Sequence, residues 1–343
     1  MKIWTIDGQE YRLPNTLTRF QETMYVHLIQ WKWRNLTTDP GIDGGLEYDT
    51  FLPARYEGQY ALIYPGILDL LKRHLDDFPF RVHPRFNHVA SSQAANINLF
   101  LPVLRHPQVN TILGAIKPDF AALAPEYFDH GYCLEYWGGN RKGGGIDPGP
   151  LGDKTAKTGT DADIAIAYTN HQGELCLWLV EHKLTEKEFT TCGGYNSRGR
   201  AVRHVCASSF STILQDKNLC YYHDKCRFHY WDITEANQAF FANPPSATDC
   251  PFRDGKNQLW RNQLLALRIA QDEKQPYQRS AFSVVKHHGN HDLDATLADY
   301  KHLIGNSPSF SVFTSADLLA AADAVGDPAL SEWIAWYRDL YMV

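Results

Sequence analysis

The sequence predicts an α/β fold in which a mixed central β-sheet is flanked by α-helices. Two apolar segments that favour strands, residues 164–168 and 175–183, are separated by the turn sequence Asn170-His-Gln-Gly173. Apolar residues at helical spacing occur on both sides of this hairpin, in residues 16–34 and 257–271. Helices that precede, separate and follow short strands are typical of a sheet covered by helices.

The first hundred residues predict a small hairpin followed by helices. The opening residues alternate around Asp7-Gly8, and residues 38–66 are rich in Gly, Asp and Pro and predict a loop. Residues 68–74 and 91–100 favour helices, with Ser91 as the N-cap of the second and Pro102 as its end. This part of the chain is therefore predicted to be mainly helical.

The remaining elements predict the sheet and its closing helices. Strands are expected at residues 132–137, 280–285 and 310–313, and helices at residues 315–325 and 330–341. The segment Leu175–Val180 is apolar at both alternating sets of positions. A strand with this pattern is buried on both faces, so it is predicted to lie in the centre of the sheet.

Length and composition predict a globular protein with one large domain and an extension. The chain has 343 residues, of which 44% are hydrophobic and 21% are charged. We predict an N-terminal helical and loop extension over residues 1–84. A larger domain follows over residues 85–343, with a Cys-rich, basic insertion at about 190–250. The longest apolar run is far shorter than a membrane span, and no secretory signal is evident, so a cytoplasmic protein without membrane contact is expected.

The charge distribution excludes a uniformly basic protein but leaves room for a local nucleic-acid surface. The net charge is −6, yet residues 196–230 carry six Lys or Arg against two Asp. Arg198, Arg200 and Arg203 are too close together to share one helical face, and they suit a loop that binds successive phosphates. The alternative is that their aliphatic stems cover an aromatic core.

The charged residues that carry chemistry follow the apolar segments of the hairpin. Glu181 and Lys183 are two residues apart on a strand, so their side chains share one face. With the turn centred near residue 172, Asp163 is nine residues before the turn and Glu181 nine residues after it. Two carboxylates and one ammonium are therefore predicted to meet at the open end of the hairpin.

This arrangement suits metal-dependent hydrolysis. Mg²⁺ prefers oxygen ligands and typically takes one or two carboxylates together with waters and substrate phosphate. Such a metal lowers the pKa of water and neutralises a phosphodiester oxygen. Lys183 then either orients or deprotonates the water, or stabilises the developing charge. The alternative is a surface hairpin whose strand ends merely carry charge.

The sequence from Asp163 to Lys183 resembles the PD-(D/E)XK nuclease superfamily, with Asp163-Ile-Ala-Ile followed by Leu-Val-Glu-His-Lys. Within it, the chain is similar to a restriction-endonuclease-like bacterial group that shares three features. These are Ser91-Ser92-Gln93 before a helix with Asn96, the segment at 179–186, and Gln258-Leu-Trp-Arg-Asn262. The resemblance extends from about residue 85 to the end and implies a restriction-endonuclease-like fold.

The resemblance implies a metal-dependent phosphodiesterase that acts on DNA. It implies Mg²⁺ or Mn²⁺ held by Asp163, Glu181 and the backbone carbonyl of His182, with a catalytic role for Lys183. One departure is Asp161, two residues before Asp163 on the same strand face, which is the reserve ligand. Gln93 and Gln258 are auxiliary candidates that either flank the site or only bind helix ends and loops.

The seven cysteines permit a second metal site. Cys192, Cys220, Cys226 and Cys250 could hold Zn²⁺ or an iron–sulfur cluster, as in some relatives in the superfamily, although their spacing matches poorly. Buried thiols are the simpler interpretation.

We therefore predict a metal-dependent (endo)deoxyribonuclease that hydrolyses DNA by a metal-activated water, with a role in restriction, defence or DNA processing. The sequence leaves the choice between endonuclease and exonuclease action open. DNA is the predicted partner, and a homodimer is left open. Two alternatives are a catalytically inactive nucleic-acid-binding member of the fold and a protein built around a cysteine-ligated metal cluster.

Overall fold

The structure is a computed structural model that describes residues 1–139, 149–155, 159–196, 208–245 and 249–343. Its strands, in chain order, are β1 (Lys2–Ile6), β2 (Gln9–Leu13), β3 (Gly41–Asp43), β4 (Leu46–Tyr48), β5 (Phe120–Leu123), β6 (Tyr132–Tyr136), β7 (Ala162–Asn170), β8 (Leu175–Lys183), β9 (Arg279–Lys286) and β10 (Phe310–Thr314). The six strands from β5 onwards form the central sheet.

The helices cover this sheet and fill the connections. They are α1 (Arg19–Asn35), α2 (Leu68–Asp77), α3 (Ser92–Leu104), α4 (Val109–Ile116), α5 (Gly193–Asn196), α6 (Phe210–Gln215), α7 (Tyr221–Asp224), α8 (Tyr230–Ala236), α9 (Lys256–Gln271), α10 (Asp294–Leu303), α11 (Ser315–Asp323) and α12 (Pro328–Tyr341). None of these helices is long and apolar enough to cross a membrane.

The central sheet is mixed, which confirms the predicted fold class. Its strand order is β10-β9-β8-β7-β5. Strands β5 and β6 pair with the same edge of β7, β5 with residues 168–170 and β6 with residues 162–166. Strand β8 is antiparallel to β7 and parallel to β9, so it lies in the centre of the sheet. The parallel step from β8 to β9 requires a crossover, which contains α9.

Two hydrophobic cores, one on each face of the sheet, explain why β7 and β8 are apolar on both sides. In β8, Trp178 and Val180 pack into the core shared with α1, α3 and α12. Leu177 and Leu179 pack into the opposite core, which includes the apolar face of α9. The prediction of a doubly covered central strand is confirmed by this division.

The prediction that Pro102 ends the helix is wrong, because α3 continues to Leu104. A proline lacks the backbone N–H that would bind the carbonyl four residues earlier, here that of Asn98. The indole N–H of Trp333 donates a 2.8 Å hydrogen bond to that carbonyl. A side chain from α12 thus supplies the donor that the proline cannot.

The N-terminal segment packs on the same core as the strands. Met24, Leu28 and Ile29 of α1 are buried with residues of α3 and α12. The loop expected at residues 38–66 contains the short hairpin β3–β4 and two turns of 3₁₀ helix. The division of the chain at residues 84 and 85 remains a prediction.

Candidate active site

The open end of the β7–β8 hairpin has the register that the sequence predicts. Ile164 pairs with Val180, so Asp163 lies opposite Glu181 on the neighbouring strand. Directly opposite residues of an antiparallel pair project to the same face. Both carboxylates therefore belong to the face of the sheet that α9 covers.

The carboxylate of Glu181 is buried, with 4% of the residue exposed, and it accepts three hydrogen bonds. The Lys183 ammonium donates to Oε1 over 2.9 Å. The side-chain amide of Gln258 donates to the same oxygen over 2.6 Å, and that of Asn262 donates to Oε2 over 2.8 Å. A carboxylate can accept about four hydrogen bonds, so Oε2 retains acceptor capacity.

Helix α9 brings both amides to Glu181. Gln258 and Asn262 are four residues apart and therefore lie one above the other on one side of the helix. The carbonyl of the Gln258 side chain also accepts the backbone N–H of Thr190, which fixes the orientation of the amide. Sequence reasoning proposed Gln258 as an auxiliary residue, but it gave Asn262 no role beyond its place in the resembling motif.

The carboxylate of Asp163 faces the backbone of β8. Its Oδ2 accepts the backbone N–H of His182 over 2.6 Å, while Oδ1 has no hydrogen-bond partner among the described residues. The Asn96 amide binds the Asp163 carbonyl over 3.1 Å. Burial, followed by the charges of Glu181 and Glu135, raises the pKa of Asp163 well above its ordinary value.

The Lys183 side chain carries a stable positive charge. Burial alone would lower its pKa, but the carboxylates of Glu181, Glu186 and Asp163 together raise the pKa above its ordinary value. The ammonium therefore stays protonated throughout the neutral range. It can donate hydrogen bonds and stabilise negative charge, whereas it is poorly suited to remove a proton from water.

Asp161, the reserve candidate, has a different partner. Lys154 Nζ lies 2.5 Å from its Oδ2, in a partly exposed ion pair. Asp163 instead binds the backbone of the strand that carries Glu181. The structure therefore places Asp163, and not Asp161, within the hydrogen-bonded arrangement at the strand ends.

Glu135 is a third carboxylate that sequence reasoning missed. Its neighbours Leu134 and Tyr136 pair with Ile164 and Ala162, so Glu135 lies beside Asp163. Burial raises the pKa of Glu135 to about 8, and the carboxylates of Asp161 and Glu181 add to this increase. The backbone of Glu135 has a φ of 50°, a left-handed conformation that is uncommon for residues other than glycine.

Gln93 contacts this third carboxylate. Its amide donates to Glu135 Oε1 over 2.8 Å, and its side-chain carbonyl accepts the backbone N–H of His83. Gln93 lies in the first turn of α3, where Ser91 Oγ caps the helix as the sequence predicts. The structure therefore places Gln93 beside Glu135 rather than beside Glu181.

A cleft of about 430 Å³ opens beside these residues, and we call it the active-site cleft. Asp163 and Glu135 line it together with Ser91, Ser92 and Gln93, and α1 also contributes to its wall. Gln21 and Tyr25 of α1 are held there by Thr185, through its carbonyl and its side chain respectively. The N-terminal segment thus forms part of the cleft, which the sequence did not predict.

The donor set suits a hard divalent cation. Asp163 Oδ1 is unbonded in the described chain, and Glu181 Oε2 accepts one hydrogen bond. The backbone N–H of His182 donates to Asp163 and therefore points towards β7. The backbone carbonyl of the next residue, Lys183, accepts the N–H of His287, which follows β9, and therefore points away from β7. Because successive residues of a strand point to alternate sides, the His182 carbonyl also points towards β7 and Asp163. Two carboxylates and a carbonyl are ligands that Mg²⁺ accepts.

The described ranges contain no group of three or more His, Cys, Asp or Glu side chains that could hold a metal ion. This does not conflict with Mg²⁺, which typically takes only one or two carboxylates. It gives no support to a cysteine-ligated cluster. Cys192, Cys220 and Cys250 line a void of about 10 Å³, and Cys226 is not part of its lining. Burial raises the pKa of the Cys192 and Cys220 thiols, which disfavours metal-binding thiolates.

The arginines proposed to contact phosphates, Arg198, Arg200 and Arg203, lie outside the described residues. Their role therefore stays a prediction.

Comparison with known families gives a match over residues 26–342 to the family described as Restriction Endonuclease associating with ARP. This chain belongs to that family. Membership confirms the resemblance to a restriction-endonuclease-like group and makes the chain a member of a nuclease family. In the same comparisons, it matched no curated protein and no solved structure. The family match begins inside α1, so Gln21 and Tyr25, the α1 residues that line the cleft, lie just before the matched residues.

Proposed function

We propose that this member of the family hydrolyses phosphodiester bonds of DNA with a divalent metal, Mg²⁺ or Mn²⁺. The observation that supports the proposal most directly is the juxtaposition of Asp163 with Glu181 and Lys183 at the open end of the β7–β8 hairpin. Asp163, Glu181 and the His182 carbonyl would hold the metal. Such an ion supplies positive charge opposite the phosphodiester and activates water for attack.

The protein's own residues prepare this site in three ways. Gln258 and Asn262 bind both oxygens of Glu181 and fix the plane of its carboxylate. Lys183 stays protonated, and its ammonium, which donates to Glu181, would stabilise the negative charge that develops on the phosphate. Asp163 links the strand ends to the active-site cleft, through which substrate would enter.

The proposal is tested with two neighbouring aspartates. DNA cleavage is measured in EDTA and then in excess Mg²⁺ for the parent, for Asp163→Asn and for Asp161→Asn. We expect no cleavage in EDTA, and in Mg²⁺ a loss of at least two orders of magnitude for Asp163→Asn. Asp161→Asn should retain most activity because Asp161 binds Lys154. In calorimetric titrations with Mn²⁺, Asp163→Asn should bind the metal more weakly than the parent, whereas Asp161→Asn should retain most of the affinity.

Equal cleavage in EDTA and Mg²⁺ would refute metal dependence. Equal losses in the two variants would refute the assignment of Asp163 in preference to Asp161. If DNA binds but is never cleaved under any metal condition, the chain is the catalytically inactive member of the fold that the sequence also allows.

A further inference from the structure

A second groove, of about 560 Å³, lies next to the active-site cleft. The two cavities share His83 in their walls, and Arg85 lines the cleft while its neighbours Pro84 and Phe86 line the groove. Residues 81–88, which we call the basic segment, therefore separate the two cavities. A ligand that crosses this segment would continue from the groove into the cleft that contains Asp163.

The basic segment is favourable for a polyanion. The chain carries no Asp or Glu between Asp77 and Asp119, whereas Arg81 and Arg85 both fall in this interval. The Arg85 side chain is 63% exposed and forms an ion pair of 3.0 Å with Asp43 of the β3–β4 hairpin. An exposed ion pair is weak because water and salt screen it, so a phosphate can replace Asp43 at little cost.

The backbone of the basic segment is fixed by hydrogen bonds, while the side chains of Arg81, His83 and Arg85 are exposed. The N–H of His83 donates to Gln93, and the carbonyl of Asn87 accepts the N–H of Leu52. Val89, directly after the segment, donates to Thr50. A braced loop with exposed cations loses little conformational entropy when it binds a ligand.

The groove also offers apolar and aromatic surface. Phe51 and Tyr60 line it and are only partly buried, and Ile42 in the middle of β3 is 72% exposed. In the cleft, burial lowers the pKa of His88 to about 3, so its ring stays neutral between Phe51 and Tyr25. Rings beside cations are the combination that binds single-stranded nucleic acid, because bases stack while phosphates pair with arginine.

We propose that the groove, the basic segment and the cleft form a path for one unpaired DNA strand, with Arg85 binding a phosphate next to the bond that is cleaved. This inference rests on the proposed function, and it specifies the substrate as DNA with an unpaired end or region. Paired bases are stacked on one another inside a duplex, so an intact duplex cannot present base faces to Phe51 and Tyr60. Arg85 lines the same cleft as the carboxylates of Asp163, Glu135 and Glu186, so its positive charge would offset their repulsion of a phosphate.

The test measures binding without cleavage. Anisotropy in EDTA is recorded for a fluorescein-labelled single strand, for a blunt duplex of the same sequence and for that duplex with an unpaired tail, each at several salt concentrations. The parent should bind the single strand and the tailed duplex on the order of ten times more tightly than the blunt duplex. Arg85→Gln should weaken binding of the single strand and reduce the log–log salt slope by about 0.7, the effect of one phosphate contact.

Two further variants make the result specific. Arg34 is an exposed arginine paired with Asp339 outside both cavities, so Arg34→Gln is a matched control that should leave affinity and slope unchanged. Tyr60→Leu should weaken binding of the single strand several-fold without changing the salt slope, because it removes a stacking surface and no charge. Melting temperatures show whether each variant is folded.

Equal affinity for blunt and tailed duplexes, or equal slopes for Arg85→Gln and Arg34→Gln, would overturn the proposal. Its failure is separable from that of the proposed function. If binding of the single strand depends on Arg85 but Mg²⁺ never produces cleavage, the proposed hydrolysis is refuted and the proposed path for an unpaired strand is supported. If Mg²⁺ produces cleavage but an unpaired tail does not increase the affinity for DNA, the proposed path is refuted and the proposed hydrolysis is supported.

Discussion

Asn262, in the second turn of α9, donates a 2.8 Å hydrogen bond to Oε2 of Glu181 at the end of β8. The contact joins residues that are far apart in the chain, and it crosses from the helical layer to the sheet. Together with Gln258 it leaves the Glu181 carboxylate with a single orientation. The helix that follows the hairpin thus sets the position of a carboxylate that the hairpin itself provides.

Replacing Asn262 should affect activity more than stability. In Asn262→Leu, Glu181 Oε2 loses its amide donor, and we expect a decrease in kcat of about 10–100-fold with a weaker metal affinity. The neighbouring Gln263 is fully buried, and its amide has no hydrogen-bond partner in the described chain. Gln263→Leu should therefore keep full activity and melt at the same or a higher temperature. Steady-state kinetics and melting curves of the two variants check this, and similar losses of activity in both would contradict a positioning role.

Lys183→Met should remove the stabilising charge and keep most of the side-chain volume. We expect DNA cleavage to fall by a factor on the order of 10² or more, whereas DNA affinity in EDTA stays nearly unchanged. Lys187, which is exposed four residues later, provides the control Lys187→Met, which should cleave at the parental rate. A folded Lys183→Met protein with parental cleavage would show that the ammonium has no catalytic role.

The three arginines that follow the catalytic strand give a prediction about salt. If Arg198, Arg200 and Arg203 each contact a phosphate, replacing all three with Ala should flatten the log–log salt dependence of DNA binding by about two units. Cleavage by enzyme already bound to DNA should decrease less than binding. Arg338→Ala removes an exposed arginine that pairs with Asp323, and it should change neither quantity. If the triple variant has an unchanged salt slope but a lowered melting temperature, the three arginines stabilise the fold and do not contact phosphates.

Trp333 and Pro102 should be energetically coupled through the Asn98 carbonyl. Trp333→Phe leaves this buried carbonyl without a donor, so the free energy of unfolding should fall by about 1–3 kcal/mol in addition to any loss of packing. In the Pro102→Ala background, the new backbone N–H can bind the same carbonyl, and the cost of Trp333→Phe should be smaller. Denaturant unfolding of the four proteins measures the coupling. An equal cost in both backgrounds would mean that the indole N–H does not compensate for the proline.

Several long elements were predictable because their patterns are local. Helix α1, strand β8 and helix α9 are found close to the predicted bounds, since periodic apolar residues need only a surface to pack against. Strand β5 and helices α4 and α10 were not predicted. Strand β5 has four residues and helix α4 has eight, so each is too short for a periodic pattern to stand out.

The sequence by itself determined the hairpin, its register and the fact that Asp163, Glu181 and Lys183 meet at its open end. Side-chain alternation and turn length are local properties, and they fix which residues of two adjacent strands face each other. Only the tertiary structure decided the contacts around them: that Gln258 and Asn262 bind Glu181, that Gln93 binds Glu135, and that α1 closes the cleft. The tertiary structure also distinguished Asp163 from Asp161, although both were predicted on the same strand face. Lys154 pairs with Asp161, whereas the backbone N–H of His182 donates to Asp163. These contacts join distant parts of the chain, and their geometry depends on how helices pack on the sheet, which residue spacing does not encode.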